Sequence, residues 1–321
     1  MIERKRDYKE QIQSLAGANQ YKHNHRVIRD TSDFVRFDYG DVVILDETPY
    51  LIGSCEKEGR FGIDDQPKLW VKRAINLQTG EKIILKFVFE ESFVSRVGDV
   101  SFKCFRSAKK EAHILGLVAG HPHFMQGFPV EDSVGNIVRV LKIIKGKPWF
   151  DLITPLSENH EEYYFNHLKG QLQILMDLTK AISILHDNGE KHGDIRRDHI
   201  LFDRESGLFR WIDFDYDYQH HDNYFGYDLF GLGNLLIFLV GGRDITVRDL
   251  HRDYPDIFHR FDTNDANIMF PDRIANLAKI YPYILPSLND LLLVFSPGAE
   301  EFFDNIHEFE QCLKEVHNEL N

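Results

Sequence analysis

Through the first half of the chain the hydrophobic positions fall in short β-branched runs. From Asp41 these are DVVILD, YLIGSCEKEGRFGI, LWVKRAINL and EKIILKFVF, separated by DETP, DDQPK and QTGE, which carry turn chemistry. This pattern predicts an antiparallel meander. The period then changes. From Phe105 to Val118 apolar residues recur at helical spacing, and Gly120 lies just past the end, which predicts a helix. Asn136 to Ile144, NIVRVLKII, reads as a strand again. After Gly146, Lys147 and Pro148, the natural hinge in the pattern, helical spacing dominates. Leu172, Leu175, Thr179, Ile182 and Leu185 predict an amphipathic helix over Gln171 to His186, stopped by Asn188-Gly189. HILFD and LFRWIDF flank RESG and predict a short hairpin. Asp228 to Val240 and the tail from Pro286 to Leu320 read as helical. The expected organisation is therefore α+β, with an N-terminal extension (1–40), a β-rich N-lobe (41–145) and a mostly helical C-lobe (146–321).

A length of 321 residues allows one or two domains, and 43% hydrophobic with 28% charged residues is ordinary for a soluble globular chain. The net charge of −13 argues against general nucleic-acid affinity, yet a local lysine cluster with a metal ion still holds phosphates. Cys55, Cys104 and Cys312 are odd in number and form no C-x-x-C pair, so a reducing, cytoplasmic setting is expected. MIERKRDYKEQIQS lacks an apolar core and is not read as a signal peptide; the apolar run Leu229 to Val240 is too short to span a bilayer. No membrane partner is expected. In the polar segment before Asp41, His23 and His25 lack a carboxylate partner, which makes a surface helix or loose extension the simpler reading than a metal site.

The candidate chemistry begins with two acids. Asp194, in KHGDIRRDHI, precedes the predicted hairpin, and Asp213, in WIDFDY, follows it. One aspartate at a strand end is ordinarily a turn cap. Two brought to one edge by a hairpin suit a divalent metal and a proton acceptor. Lys86 lies inside the apolar run IILKFVF, where a lysine either snorkels or serves a buried anion, and Glu111 on the following helix is its candidate partner. Arg196 and Arg197 add positive charge directly after Asp194.

Taken in order, these motifs resemble the protein-kinase-like superfamily from about residue 50 to 312. Lys86 in IILK matches the lysine of V-A-I-K, and Glu111 matches the helix glutamate. HGDIRRDHIL matches the catalytic loop, and Asp213 in IDFD matches the metal-binding aspartate of D-F-G. The H-G-D opening is closer to aminoglycoside- and choline-kinase-type enzymes, an atypical, bacterial-style kinase. The resemblance implies a bilobal fold and ATP with Mg²⁺ or Mn²⁺. Lys86, held by Glu111, is expected on the α- and β-phosphates, and Leu141, Lys142 and Ile144 at the adenine. Asp194 is expected as catalytic residue with Arg196 steadying the transferred phosphate, and Asp228 bracing the loop. Asp213 is expected as metal ligand, joined by His199 in the place of the family's asparagine and by Asp215 in the place of the D-F-G glycine. An imidazole suits Mn²⁺ or Zn²⁺ better than Mg²⁺, and simple packing of His199 is equally open.

The sequence also departs from the family. Gly53, Gly59 and Gly62 do not form G-x-G-x-x-G, and the turn GIDDQPK places two acids where phosphates are expected. Ile84 replaces the small alanine, and the segment from Asp213 to Asp228 is short, without A-P-E. The expected function is an ATP-dependent phosphotransferase acting on a protein serine or threonine or on a small molecule. The alternatives are a pseudokinase that binds nucleotide or scaffolds, and a nucleotidyl transferase on the same fold.

Overall fold

The structure, a computed structural model, describes residues 8–15, 25–60, 63–157, 159–219 and 223–320. His23 and Gly62 lie outside them. The chain divides into two compact units. One comprises residues up to Glu90 with Ser107–His121 and Met125–Ile144; the other comprises Glu91–Arg106, Pro122–Phe124 and everything from Lys145.

The first unit opens with helix α1 (Lys9–Leu15) and strands β1 (Val27–Ile28), β2 (Val42–Leu45), β3 (Thr48–Arg60), β4 (Ile63–Asn76) and β5 (Lys82–Lys86). The chain then contributes β6 (Ser92–Val97) and β7 (Val100–Arg106) to the second unit. It returns with α2 (Ala108–Leu117), β8 (Gly127–Glu131) and β9 (Ile137–Lys142). The seven strands run in the order β1-β2-β3-β4-β5-β9-β8, antiparallel except for β1 with β2. Successive residues of β2 face opposite sides. Val43 and Leu45 join a core with Phe34, Phe37, Leu85 and Phe87. Val42 and Ile44 join Leu51 and Ile75 under Tyr8 and Ile12. Both faces of β2 are thus covered, which is why VVIL is apolar throughout. Within the stretch expected as an extension, α1 and β1 therefore belong to the first unit.

Two boundaries differ from the pattern-based expectation. DDQPK is not a turn but part of β4. The register of β4 with β5 covers only Val71 to Ile75, so Pro67 lies in the part of β4 that pairs with β3 alone, an edge position of the kind that tolerates proline. The helix expected from Phe105 starts at Ala108. Ser107 caps it by accepting a hydrogen bond from the Lys110 amide, while Phe105 and Arg106 complete β7.

The second unit continues with β10 (Gly146–Pro148), α3 (Phe150–Ile153), α4 (His160–Asn166), α5 (Leu168–Asp187), β11 (Ile200–Asp203), β12 (Leu208–Trp211) and β13 (Tyr216–Gln219). Helices α6 (Gly226–Gly241), α7 (Val247–Asp253), α8 (Pro255–Phe258), α9 (Pro286–Leu293) and α10 (Ile306–Glu319) follow. β10, β11 and β12 form one antiparallel sheet, so Gly146 to Pro148, expected as the hinge, are a paired strand. A second sheet runs β13-β7-β6. Helix α5 buries Leu172, Leu175, Leu178, Ile182 and Leu185 along one stripe. Helix α6 is buried on nearly every side, which accounts for its unbroken apolar run. Among the described residues no helix is long and apolar enough to cross a membrane.

Candidate active site

In the first unit the chemistry is a buried triad. Lys86 ends β5, Glu111 stands in the first turn of α2, and Arg139 lies on β9. Lys86 Nζ is 2.9 Å from Glu111 Oε1, and Arg139 Nε is 2.8 Å from Glu111 Oε2. Arg139 also donates to the carbonyls of Ile137 (2.9 Å) and Phe87 (3.3 Å). All three residues are no more than 1% exposed. One carboxylate thus divides between two cations, and the triad carries a net positive charge in a low-dielectric setting. Sequence reasoning paired Glu111 with Lys86 and read Arg139 only as part of the strand Asn136 to Ile144, whose backbone from Arg139 on was expected at the adenine; the lone arginine in the apolar run NIVRVLKII was the available signal. Leu141 is buried and paired with Ile84 in the sheet, and Ile144 lies just beyond β9. Lys142 is exposed, and its amide already donates to the Gln126 carbonyl at 2.8 Å.

In the second unit the loop Lys191–His199 is pinned from below by Asp228 of α6. Asp228 is fully buried and accepts from the amides of His192 (2.7 Å) and Gly193 (2.8 Å), with His186 Nε2 at 3.1 Å. Gly193 adopts φ +86, a conformation that favours glycine and lets the chain fold over the carboxylate. Gly231 brings α6 against the same loop: a Cβ there would lie 2.6 Å from Ile195 Cβ.

His199, 4% exposed, stands between the two acids predicted to carry the chemistry. Its Nδ1 is 2.9 Å from the Asp194 carbonyl and 3.5 Å from Asp194 Oδ2, and its Nε2 is 3.7 Å from Asp213 Oδ2. A carbonyl only accepts, so Nδ1 carries a proton, and Nε2 is turned towards the Asp213 carboxylate. Asp213 itself holds φ +64, left-handed for a non-glycine residue, a strained conformation of the kind found at working sites. Among the described residues no group of three or more His, Cys, Asp or Glu is placed to hold a metal. Mg²⁺ is usually held by one or two carboxylates with water and phosphate; Asp213 supplies one carboxylate here, and His199 adds an imidazole nitrogen of the kind that suits Mn²⁺ or Zn²⁺. Burial pushes the Asp194 carboxyl above the ordinary range. His199 and Arg196 pull it back, and Asp213 pushes it further up.

Two predicted residues are engaged elsewhere. Both oxygens of Asp215, expected beside the metal, lie 2.9 Å from one guanidinium nitrogen of Arg106. Arg106 also donates to Glu91 Oε2 at 3.0 Å and stacks 4.1 Å over the ring of Tyr216, whose hydroxyl bonds Glu91. Burial opposes the charge on Arg106, and Asp215 and Asp213 more than offset it, so the guanidinium stays charged. Arg196, expected on the transferred phosphate, forms a two-point pair with Asp198 at 3.0 and 2.6 Å.

No family model matches the chain. Individual relatives do. It is 28% identical over 134 residues, 41% of its length, to the phosphorylase b kinase gamma catalytic chain, liver/testis isoform, of Bos taurus. It is 25% identical over 166 residues to a serine/threonine-protein kinase KIN1 homologue of Encephalitozoon cuniculi, and 28% over 162 to CBL-interacting serine/threonine-protein kinase 8 of Arabidopsis thaliana. The chain is thus similar to protein kinases over 41–51% of its length. The match spans 31%, 27% and 31% of those three relatives. Among solved structures, the Cydia pomonella granulovirus kinase PK-1 is similar at 12% identity and a TM-score of 0.47, covering 81% of this chain and 92% of that one.

Proposed function

We propose that this chain is an ATP-dependent phosphotransferase that moves the γ-phosphate to a hydroxyl, with a protein serine or threonine or a small molecule as acceptor. The observation that carries this reading is the Asp194–His199–Asp213 arrangement on a loop pinned by Asp228. Two polar groups on a braced loop, facing a carboxylate beyond β12 that is held in a strained conformation, are more than turn capping requires.

In this reading Lys86, fixed by Glu111 and backed by Arg139, binds the non-transferred phosphates. Asp213 and His199 hold the divalent ion, which supplies neutralisation of phosphate charge. Asp194 accepts the proton of the acceptor hydroxyl as its oxygen forms a bond to the γ-phosphorus. The bond from that phosphorus to the bridging oxygen breaks, and ADP leaves with the electron pair. Catalysis is positioning plus charge stabilisation. Arg196, released from Asp198, is the nearby cation for the transferred group. Asp215 is left out of the metal site because Arg106 engages both its oxygens. A cytoplasmic setting with abundant ATP suits the three unpaired cysteines.

The test is ADP release and acceptor mass with wild type and Asp194→Asn, in Mg²⁺ and in Mn²⁺. Loss of a proton acceptor costs on the order of 10²–10⁴-fold in turnover. Unchanged turnover in Asp194→Asn removes the assignment, and transfer of AMP rather than phosphate redirects it to nucleotidyl transfer.

A further inference from the structure

A cavity of about 420 Å³ within the second unit is lined by Asp194 at one side and by an ion cluster at another. Its apolar wall comes from Phe93 of the β6–β7 hairpin, Tyr227, Leu235 and Phe238 of α6, and Met269 with Phe270. The lining carries three arginines and three aspartates, and its charge is distributed unevenly, with Asp194 at one side and a locally positive cluster at the other. Arg197 lies 2.6 Å and Arg273 3.3 Å from the same carboxylate, Asp244. Arg196, the third lining arginine, is matched by its own partner Asp198. Two guanidiniums therefore share one carboxylate and leave one positive charge in surplus. Both are held in place by rings, Arg197 at 4.8 Å over Phe238 and Arg273 at 4.1 Å over Phe270, which fixes their forks without neutralising them. They remain reachable, with side chains 36% and 28% exposed.

We infer that this cavity is the acceptor site and that it selects a small molecule carrying a hydroxyl for Asp194 and an anionic group for Arg197 and Arg273, joined by an apolar or aromatic body. The assignment of the ligand as acceptor rests on the phosphotransferase reading above. The volume falls in the range of small-molecule pockets, and a planar guanidinium pair is suited to a carboxylate or phosphate. A peptide is disfavoured because the chain after Asp213 is drawn into a strand: β13 is hydrogen-bonded to β7 from Tyr216 to Gln219, and Phe93 of that hairpin walls the cavity.

The probe is 4-(hydroxymethyl)benzoate, compared with its neutral amide, each titrated into the full chain and followed by ligand-observed magnetic resonance. The expected result is binding of the carboxylate at least tenfold tighter than the amide. Arg273→Ala abolishes that preference, and Arg273→Lys restores part of it. Asp244→Asn, which leaves both guanidiniums unopposed, strengthens carboxylate binding several-fold, a gain that structural damage does not produce. Equal affinity for carboxylate and amide in wild type overturns the proposal. So does a preference indifferent to Arg273→Ala, or tighter binding at these residues of a short serine peptide with a neighbouring aspartate. Asp194→Asn is expected to keep the preference for carboxylate over amide. Phosphorylation of the probe by wild type but not by Asp194→Asn supports both readings. ATP left intact with every acceptor, while the carboxylate preference and its Arg273 dependence hold, counts against phosphotransfer and for the cavity.

Discussion

At the scale of single residues, Asp194 is a carboxyl whose charged form burial opposes. Burial raises its carboxyl and the nearby cations lower it. A proton acceptor works only when deprotonated, so activity falls as pH drops through a pKa above the ordinary aspartate value of about 3.9. Arg196 is one of the charges holding that pKa down. Arg196→Ala is therefore expected to move the acid limb of the kcat/KM profile to higher pH, and a limb that stays put or moves down contradicts the role given to Asp194. His199 offers a second reading at the same scale. With Nδ1 on the Asp194 carbonyl, Nε2 is the atom the proposed metal site would use, and imidazole favours Mn²⁺ over Mg²⁺. His199→Asn should shift the ratio of Mn²⁺- to Mg²⁺-supported turnover towards Mg²⁺ several-fold; an unchanged ratio makes His199 a packing residue. Lys86, Glu111, Asp194, Asp213 and Asp228 were legible in the sequence because each sits in a motif of fixed spacing. Arg139 was not, because its partner is defined only when β9 is laid beside β5.

At the scale of elements, the pattern of apolar positions found the runs whose partners are close in sequence: β2 to β5, β9, α5 and the β11–β12 hairpin. It missed β6, β7 and β13. SFVSRV and VSFKCFR leave much of their surface exposed, and β7 meets β13 across a separation that local periodicity does not encode. What joins those strands at their ends is the Arg106–Asp215 pair, 109 positions apart in sequence, with side chains 4% and 2% exposed. Removing one member of such a pair strands the other charge out of water, whereas replacing both by apolar groups is close to neutral. Arg106→Ala should cost about 3–5 kcal/mol in urea unfolding, and Arg106→Met with Asp215→Leu much less. A single variant that loses under about 1 kcal/mol would show the pair to be no lock, and would return Asp215 to consideration as a metal ligand.

At the scale of the whole molecule, charge and chemistry pull in opposite directions. The chain carries −13, yet its Lys86–Glu111–Arg139 triad and its Arg197–Asp244–Arg273 cluster are each locally positive. An anionic nucleotide approaching an acidic protein gains from neutralisation, so ATP association is expected to depend on the divalent ion more than on the surface field. A ligand that binds only the folded state raises stability by about 2.7 kcal/mol at a hundred times its dissociation constant, which makes thermal unfolding a readout independent of turnover. ATP with Mg²⁺ or Mn²⁺ should raise the midpoint more than ATP alone. Asp213→Ala should erase the metal-dependent part and keep the rest, and Lys86→Ala should reduce both. If Asp213→Ala retains the full metal-dependent shift, the ion is held elsewhere. A full shift in the wild type without ADP release would mean that the molecule binds nucleotide as a module, because the same residues that make phosphoryl transfer possible are sufficient for binding alone.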